Sequence, residues 1–369
     1  MFRLAAASVL TLGISTACLA SSAVEVLYIS EPQGSQYSLL TYNVDLQSAA
    51  ATQVGQPVTL NANSIDPLTV NGKHFLYVWN ATDVWVYPTN GRGVPASQPS
   101  QHLMFGFSYP VYSFVADPDG KFAYSAYNWI DDQNNVYTDI VLFTIDQSTG
   151  KLTNTGKTVG TYGPNQYVVL DNLRSGISGH RLYAHWTDNG PHTYGIGYDY
   201  YSVNPATGAL GKVQTLFYAQ TLQCGSSCGV AISDPTSSSA GACCGPGSGS
   251  IVLARNANGQ SFACELEFAF CNDDVARLSL DPLGRNIFVG DATANQLYLA
   301  HIDFATSQLI PTASLPGIPP IDFSPDNRLV YAINSDSIGI YALQSWTGNI
   351  TATSTLPDSG NVSIATATF

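Results

Sequence analysis

Apolar and polar residues alternate in short runs along almost the whole chain, and the pattern is clearest from Pro319 to Leu356. There an extended run, Pro320 to Phe323, is followed by a turn at Ser324 to Asn327 and a run from Arg328 to Ile333 that carries Tyr331. An alternating run, Ile338 to Leu343, and a threonine-rich run after Thr347 to Ile350 complete the unit. Period-two alternation, β-branched and aromatic side chains, and turn residues between the runs predict four antiparallel strands.

The second strand of this unit recurs as Val26 to Ile29, Phe75 to Trp79, Phe122 to Ala126, Arg181 to Ala184, Ser250 to Ala254, Asn286 to Val289 and Arg328 to Tyr331. Tyr28, Tyr77, Tyr124, Tyr183, Val252, Phe288 and Tyr331 mark the seven copies at a mean step of about fifty residues, a period that indicates a propeller or solenoid. The strand before each marker usually ends in Asp-Pro or Ser-Pro, at Asp66, Asp117, Asp234, Asp281 and Ser324, which predicts tight type I turns. The first copy lacks a strand ahead of Val24 to Ile29, and the chain ends in a spare strand-like run, Val362 to Phe369. The expectation is an all-β, seven-bladed β-propeller over 24–369, closed by the C-terminal strand completing the first blade. No segment beyond the leader has capped helical periodicity.

Residues 1–20 read as a signal peptide: a basic start at Arg3, an apolar run from Leu4 to Ala17, then small residues at Ala17, Ala20 and Ala23. Two cut sites are open, one after Cys18-Leu19-Ala20 and one before Cys18, where Ser15-Thr16-Ala17-Cys18 is a lipoprotein-like box that makes Cys18 a lipidation candidate. The run is too short for a stable membrane span, so an extracytoplasmic protein is expected, secreted, periplasmic or lipid-anchored. Charged residues are only 11% of the chain, and 26 acidic residues face 13 basic ones. An acidic chain with no basic run excludes nucleic acid as a partner.

Six cysteines lie in an insertion at about 222–272: Cys224, Cys228, Cys243, Cys244, Cys264 and Cys271. An even number in an exported chain points to disulfides stapling the fifth blade, which also carries the loop Pro235 to Ser250 and is short of a full fourth strand. The rival readings are a thiolate metal site and free thiols. The spacings do not match a zinc knuckle, and no His lies in the cluster.

Ala116 to Tyr124, Ser202 to Leu210, Leu280 to Arg285 and Phe323 to Tyr331 together resemble the seven-bladed propeller lactonase family, 6-phosphogluconolactonase-like, and its YVTN-repeat relatives. The resemblance implies hydrolysis of sugar lactones. The family's Pro-His-x-His, Gly-Pro-Arg-His and Glu elements correspond here to Tyr109-Pro-Val-Tyr112, Gly317-Ile-Pro-Pro320 and Asn334-Ser335. Opening a lactone needs a base and an oxyanion partner, and these positions supply neither. The sequence therefore reads first as a scaffold binding a small molecule, glycan or protein at the channel mouth, and second as a divergent lactonase.

Candidates for the second reading are His185 and His192, which flank one turn, with Arg174 and Glu267 or Glu265. The loop Asp131 to Asn135, with Asp132 and then Asp139, offers oxygen ligands for a hard cation but lacks a dedicated calcium-loop spacing, and reads as a solvated hairpin tip. No metal, cofactor or partner subunit is expected. No nucleophile elbow, phosphate loop or dinucleotide fingerprint occurs in a strand-helix context.

Overall fold

The computed structural model describes residues 25–176, 179–190, 193–220, 228–233, 238–245, 248–255, 261–266, 275–291, 296–303, 305–306, 308–316, 318–324, 326–334, 337–357 and 362–368. Between 213 and 278 the description is of backbone alone. The described residues are all strand and turn, arranged as seven antiparallel sheets.

Sheet 1 holds β1 (Glu25–Gln33), β2 (Gln36–Val44), β3 (Ala51–Gln53) and β4 (Val58–Leu60). Sheet 2 holds β5 (Ser64–Val70), β6 (Lys73–Trp79), β7 (Asp83–Thr89) and β8 (Gln101–Met104). Sheet 3 is β9 (Val111–Ala116), β10 (Phe122–Ile130), β11 (Val136–Ile145) and β12 (Leu152–Tyr162), and sheet 4 is β13 (Gln166–Gly176), β14 (Gly179–Gly190), β15 (Thr193–Val203) and β16 (Leu210–Gln220). Sheet 5 comprises β17 (Cys228–Ser233), β18 (Ser238–Gly245), β19 (Ser248–Arg255) and β20 (Ser261–Leu266). Sheet 6 comprises β21 (Val275–Leu280), β22 (Asn286–Asp291), β23 (Gln296–Asp303) and β24 (Gln308–Pro316). Sheet 7 is β25 (Ile318–Phe323), β26 (Leu329–Ile333), β27 (Ser337–Gln344) and β28 (Asn349–Pro357). The last strand, β29 (Ser363–Thr368), returns to sheet 1 and pairs with β1 from Glu25↔Thr368 to Ser30↔Ser363.

Each apolar core lies between two successive sheets. Tyr77, Val84 and Val86 meet Phe114, Val141 and Phe143 between sheets 2 and 3, and Tyr124 and Leu142 meet Leu170 and Trp186 between sheets 3 and 4. Leu27 and Ile29 meet Tyr331 and Ile340 between sheets 1 and 7. Both faces of a sheet are thus buried, which is why the marker strands read as nearly continuous apolar runs rather than strict alternations. The first strands touch in succession: β29 with β5, β5 with β9, β9 with β13, β17 with β21, β21 with β25, and β25 with β29.

The marker tyrosines fasten one sheet to the next. Tyr28 Oη donates to the Gly93 carbonyl (2.8 Å), Tyr77 to Gly150 (2.9 Å) and Tyr124 to Gly208 (2.9 Å). Each acceptor sits in the loop before the last strand of the following sheet, at positive φ. At Gly150 (φ 71°) a Cβ would stand 2.5 Å from the Phe75 ring, so both the backbone conformation and the close approach require glycine.

Three expectations are corrected. Asp66-Pro67 is not a turn: it lies inside β5, and the chain reverses at Asn71-Gly72 (φ 51° and 69°). β5 is an edge strand of sheet 2, where a proline removes no ladder hydrogen bond. In sheet 5, Val252 falls on the third strand, β19, and the second strand is β18, within the segment expected to be a loop. That sheet also has a full fourth strand, β20, paired along β19 from Ser250↔Leu266 to Arg255↔Ser261.

Candidate functional site

An antiparallel meander sends its turns alternately to two ends. The β5–β6, β9–β10 and β11–β12 turns share one end, and the β6–β7 and β10–β11 turns share the other with the sheet-to-sheet connectors. At this connector end, residues 105–110 cross from sheet 2 to sheet 3 with three aromatics, because Phe105 buries in the core while Phe107 lies flat on Tyr127 (centroids 4.1 Å, 7°). One step further along β10, Trp129 stacks on Tyr137 of β11 (4.6 Å, 15°). Tyr109 and Tyr112 are 37% and 47% exposed, and Val169 on the neighbouring first strand β13 is 44% exposed. Half-exposed tyrosines offer an apolar ring face and a polar tip together.

The proposed cation ligands do not converge. Asp131 Oδ1 accepts the N–H groups of Gln133 (2.8 Å) and Asn135 (2.9 Å) and Oδ2 accepts from Asn135 Nδ2 (3.0 Å), so its carboxylate holds the hairpin turn and stays ionised below the usual pH range. Asp139 lies down β11 and accepts from Thr161 Oγ1 (2.7 Å) and Tyr127 Oη (3.4 Å). Asp132 is exposed at the tip. Among the described residues no three His, Cys, Asp or Glu side chains gather as a metal site.

His185 lies on β14, opposite Val169 on one side and Tyr198 on the other. Burial pulls its pKa down to about 4, so the ring is a neutral imidazole across the physiological range. His192 and Glu267 lie outside the described residues, as do Cys18, Cys224 and Cys271. The side chains of Arg174, Glu265, Cys228, Cys243, Cys244 and Cys264 lie outside them as well, although the backbone register sets Cys228 opposite Cys243. The aromatic cluster was missed in the sequence. Its signal was the density of rings from Phe105 to Phe114, which strand patterning absorbs as core.

No family model matches the chain, and no curated protein matches it in sequence. Solved structures do match in shape. A protein of Bacteroides uniformis assigned as a 6-phosphogluconolactonase superposes with a TM-score of 0.61 at 12% identity, covering 93% of this chain and 100% of that one. The periplasmic gluconolactonase of Pseudomonas aeruginosa superposes with a TM-score of 0.59 at 16% identity, covering 93% and 99%. A second assigned 6-phosphogluconolactonase, from Bacteroides fragilis, gives 0.57 at 15%, covering 94% and 98%. The chain has the lactonase-like propeller fold.

On this propeller the three departures from the lactonase motifs share one end. Tyr109 to Tyr112 lead into β9, Ile318 to Pro320 begin β25, and Asn334 follows β26 with its Nδ2 on Ser337 Oγ (3.3 Å). All lie in or at the start of a strand beside a sheet-to-sheet connector, or in a second-to-third-strand turn, and so at the connector end that carries the aromatic cluster. No helix among the described residues is long and apolar enough to cross a membrane.

Proposed function

We propose that the chain is an exported propeller of seven blades, closed by β29 on β1, that acts on an unphosphorylated sugar lactone at its connector end. The observation that carries this reading is the coincidence at that end of the aromatic cluster with the connectors where the lactonase motifs would fall. The full-length likeness in fold to a periplasmic gluconolactonase supports both the reaction class and the compartment. The absence of histidine and arginine from Tyr109-Pro-Val-Tyr112 and Ile318 to Pro320 favours a neutral ring over a phosphorylated one, since a phosphate is held by cationic partners. We assign His185, a neutral imidazole on β14 opposite the exposed Val169, as the group that takes a proton from water once the ring is opened to the channel, and the exposed Tyr109 and Tyr112 hydroxyls as the donors for the developing oxyanion.

A second reading, binding without turnover, is favoured by the loss of the family's His, Arg and Glu elements. Acid release by the purified full chain from glucono-δ-lactone, measured against the spontaneous rate, separates the two. Turnover lost in His185→Gln and Tyr112→Phe supports the hydrolase. Saturable binding without acid release, lost in Tyr112→Ala, supports the second reading. Neither turnover nor binding sinks both.

A further inference from the structure

We infer that the opposite end of the propeller carries a separate site for a small anion, in a cleft of about 490 Å³ between sheets 2 and 3. Lys73, His74 and Thr89 of sheet 2 form one wall, and Ser148, Thr149 and Lys151 of the β11–β12 turn form the other. Two of the chain's 13 basic residues face this one cleft, and no Asp or Glu lines it, in a protein whose net charge is −13. That distribution runs against the composition and makes the cleft a local cationic pocket on an acidic body.

Lys73 is held in place. Its Nζ donates to the Ser148 carbonyl across the seam (2.7 Å), which fixes the ammonium and leaves two of its three N–H groups for another acceptor. The carboxylate nearest in sequence, Asp146, is tied into the same turn: its Oδ1 accepts the Ser148 (2.8 Å) and Thr149 (3.1 Å) backbone N–H groups and the Ser148 hydroxyl (2.6 Å). His74 adds no charge at neutral pH, because burial lowers its pKa and Thr69 Oγ1 occupies Nδ1 (3.0 Å). Two lysines and the Thr149 hydroxyl suit one carboxylate or phosphate group on a small polar body, and the volume admits more than a bare ion. The site needs no lactone chemistry and stands whether or not the connector end hydrolyses anything.

The test is calorimetric titration of the full chain with inorganic phosphate and with gluconate, at ionic strength held constant with chloride. Saturable binding of either anion is expected, weakened at least about tenfold in Lys73→Gln/Lys151→Gln and unchanged in Lys157→Gln, which removes an exposed charge elsewhere. The anion that binds more tightly distinguishes a phosphate from a carboxylate ligand. Lys151→Gln alone, which breaks no bond between the sheets, is expected to weaken binding with the melting temperature preserved. Absence of binding by both anions, or binding undiminished in Lys151→Gln and in the double variant, overturns the proposal.

Discussion

Two seams of this molecule use the same parts to different ends. Between sheets 2 and 3, Asp66 Oδ2 accepts the Ala116 N–H of the next first strand (2.9 Å), and Tyr77 donates to the Gly150 carbonyl. Between sheets 7 and 1, Asp322 Oδ2 accepts the Thr366 N–H (2.8 Å), but Tyr331 donates instead to a carboxyl, Glu25 Oε1 (2.6 Å). Asp66 and Asp322 occupy matching places, opposite Tyr77 and Tyr331 in register. A seam between sheets that follow each other in sequence thus ends on a backbone carbonyl, which does not titrate. The seam between sheets 7 and 1 rests on Glu25, fully buried, whose other oxygen has no hydrogen-bond partner among the described residues.

Burial pushes the Glu25 pKa up to about 7; Asp326 and Asp322 add to this, while the Tyr331 hydroxyl and Arg328 oppose it. An acid held neutral in this way stabilises the fold fully below the unfolded value of 4.5, and the contribution is lost as pH rises through about 7, because the unfolded chain ionises first. Asp66, also raised to about 7 by burial, acts in the same direction at the other seam.

The comparison can be broken most severely by deleting residues 362–369, which strips β29 from sheet 1. Urea denaturation should show a loss of roughly 5 kcal/mol or no cooperative transition at all. Gly150→Ala strikes the ordinary seam through its positive φ and the Phe75 contact, and should cost about 3 to 4 kcal/mol by the same measurement. Glu25→Gln sharpens the contrast: the wild-type decline in stability between pH 4.5 and 7 should shrink by up to about 3 kcal/mol, with the Asp66 part remaining. Unfolding midpoints at pH 5 and pH 8 read this out, and an unchanged decline would show that Glu25 does not titrate in the folded state. Tyr331→Phe should cost about 2 kcal/mol at pH 8 and less at pH 5, whereas Tyr77→Phe should cost about 1 kcal/mol at both.

The strands were legible because each carries its own signal, β-branched and aromatic residues between turn residues, repeated about every fifty positions. Asp66-Pro67 misled because the dipeptide suits either a turn or an edge strand, and only the neighbouring sheet decides between them. β18 was missed because Ser238 to Gly245 contains serine, alanine, glycine and cysteine, with no large side chain to set a period. Phe107 of a connector on Tyr127, and Lys73 of sheet 2 on the Ser148 carbonyl of sheet 3, are contacts between separate elements, and no spacing along the chain encodes them. The candidate site was therefore hardly visible in the sequence, while the departures Tyr109 to Tyr112 and Asn334 were visible but could not be placed on one end until the meander fixed which turns share it.

The pairing of β29 with β1 also has a consequence in time. β29 follows the other described strands along the chain, so β1 keeps a bare edge until β29 has been made. A polypeptide clipped ahead of Ser363 keeps that edge unpaired and open to pairing with another chain.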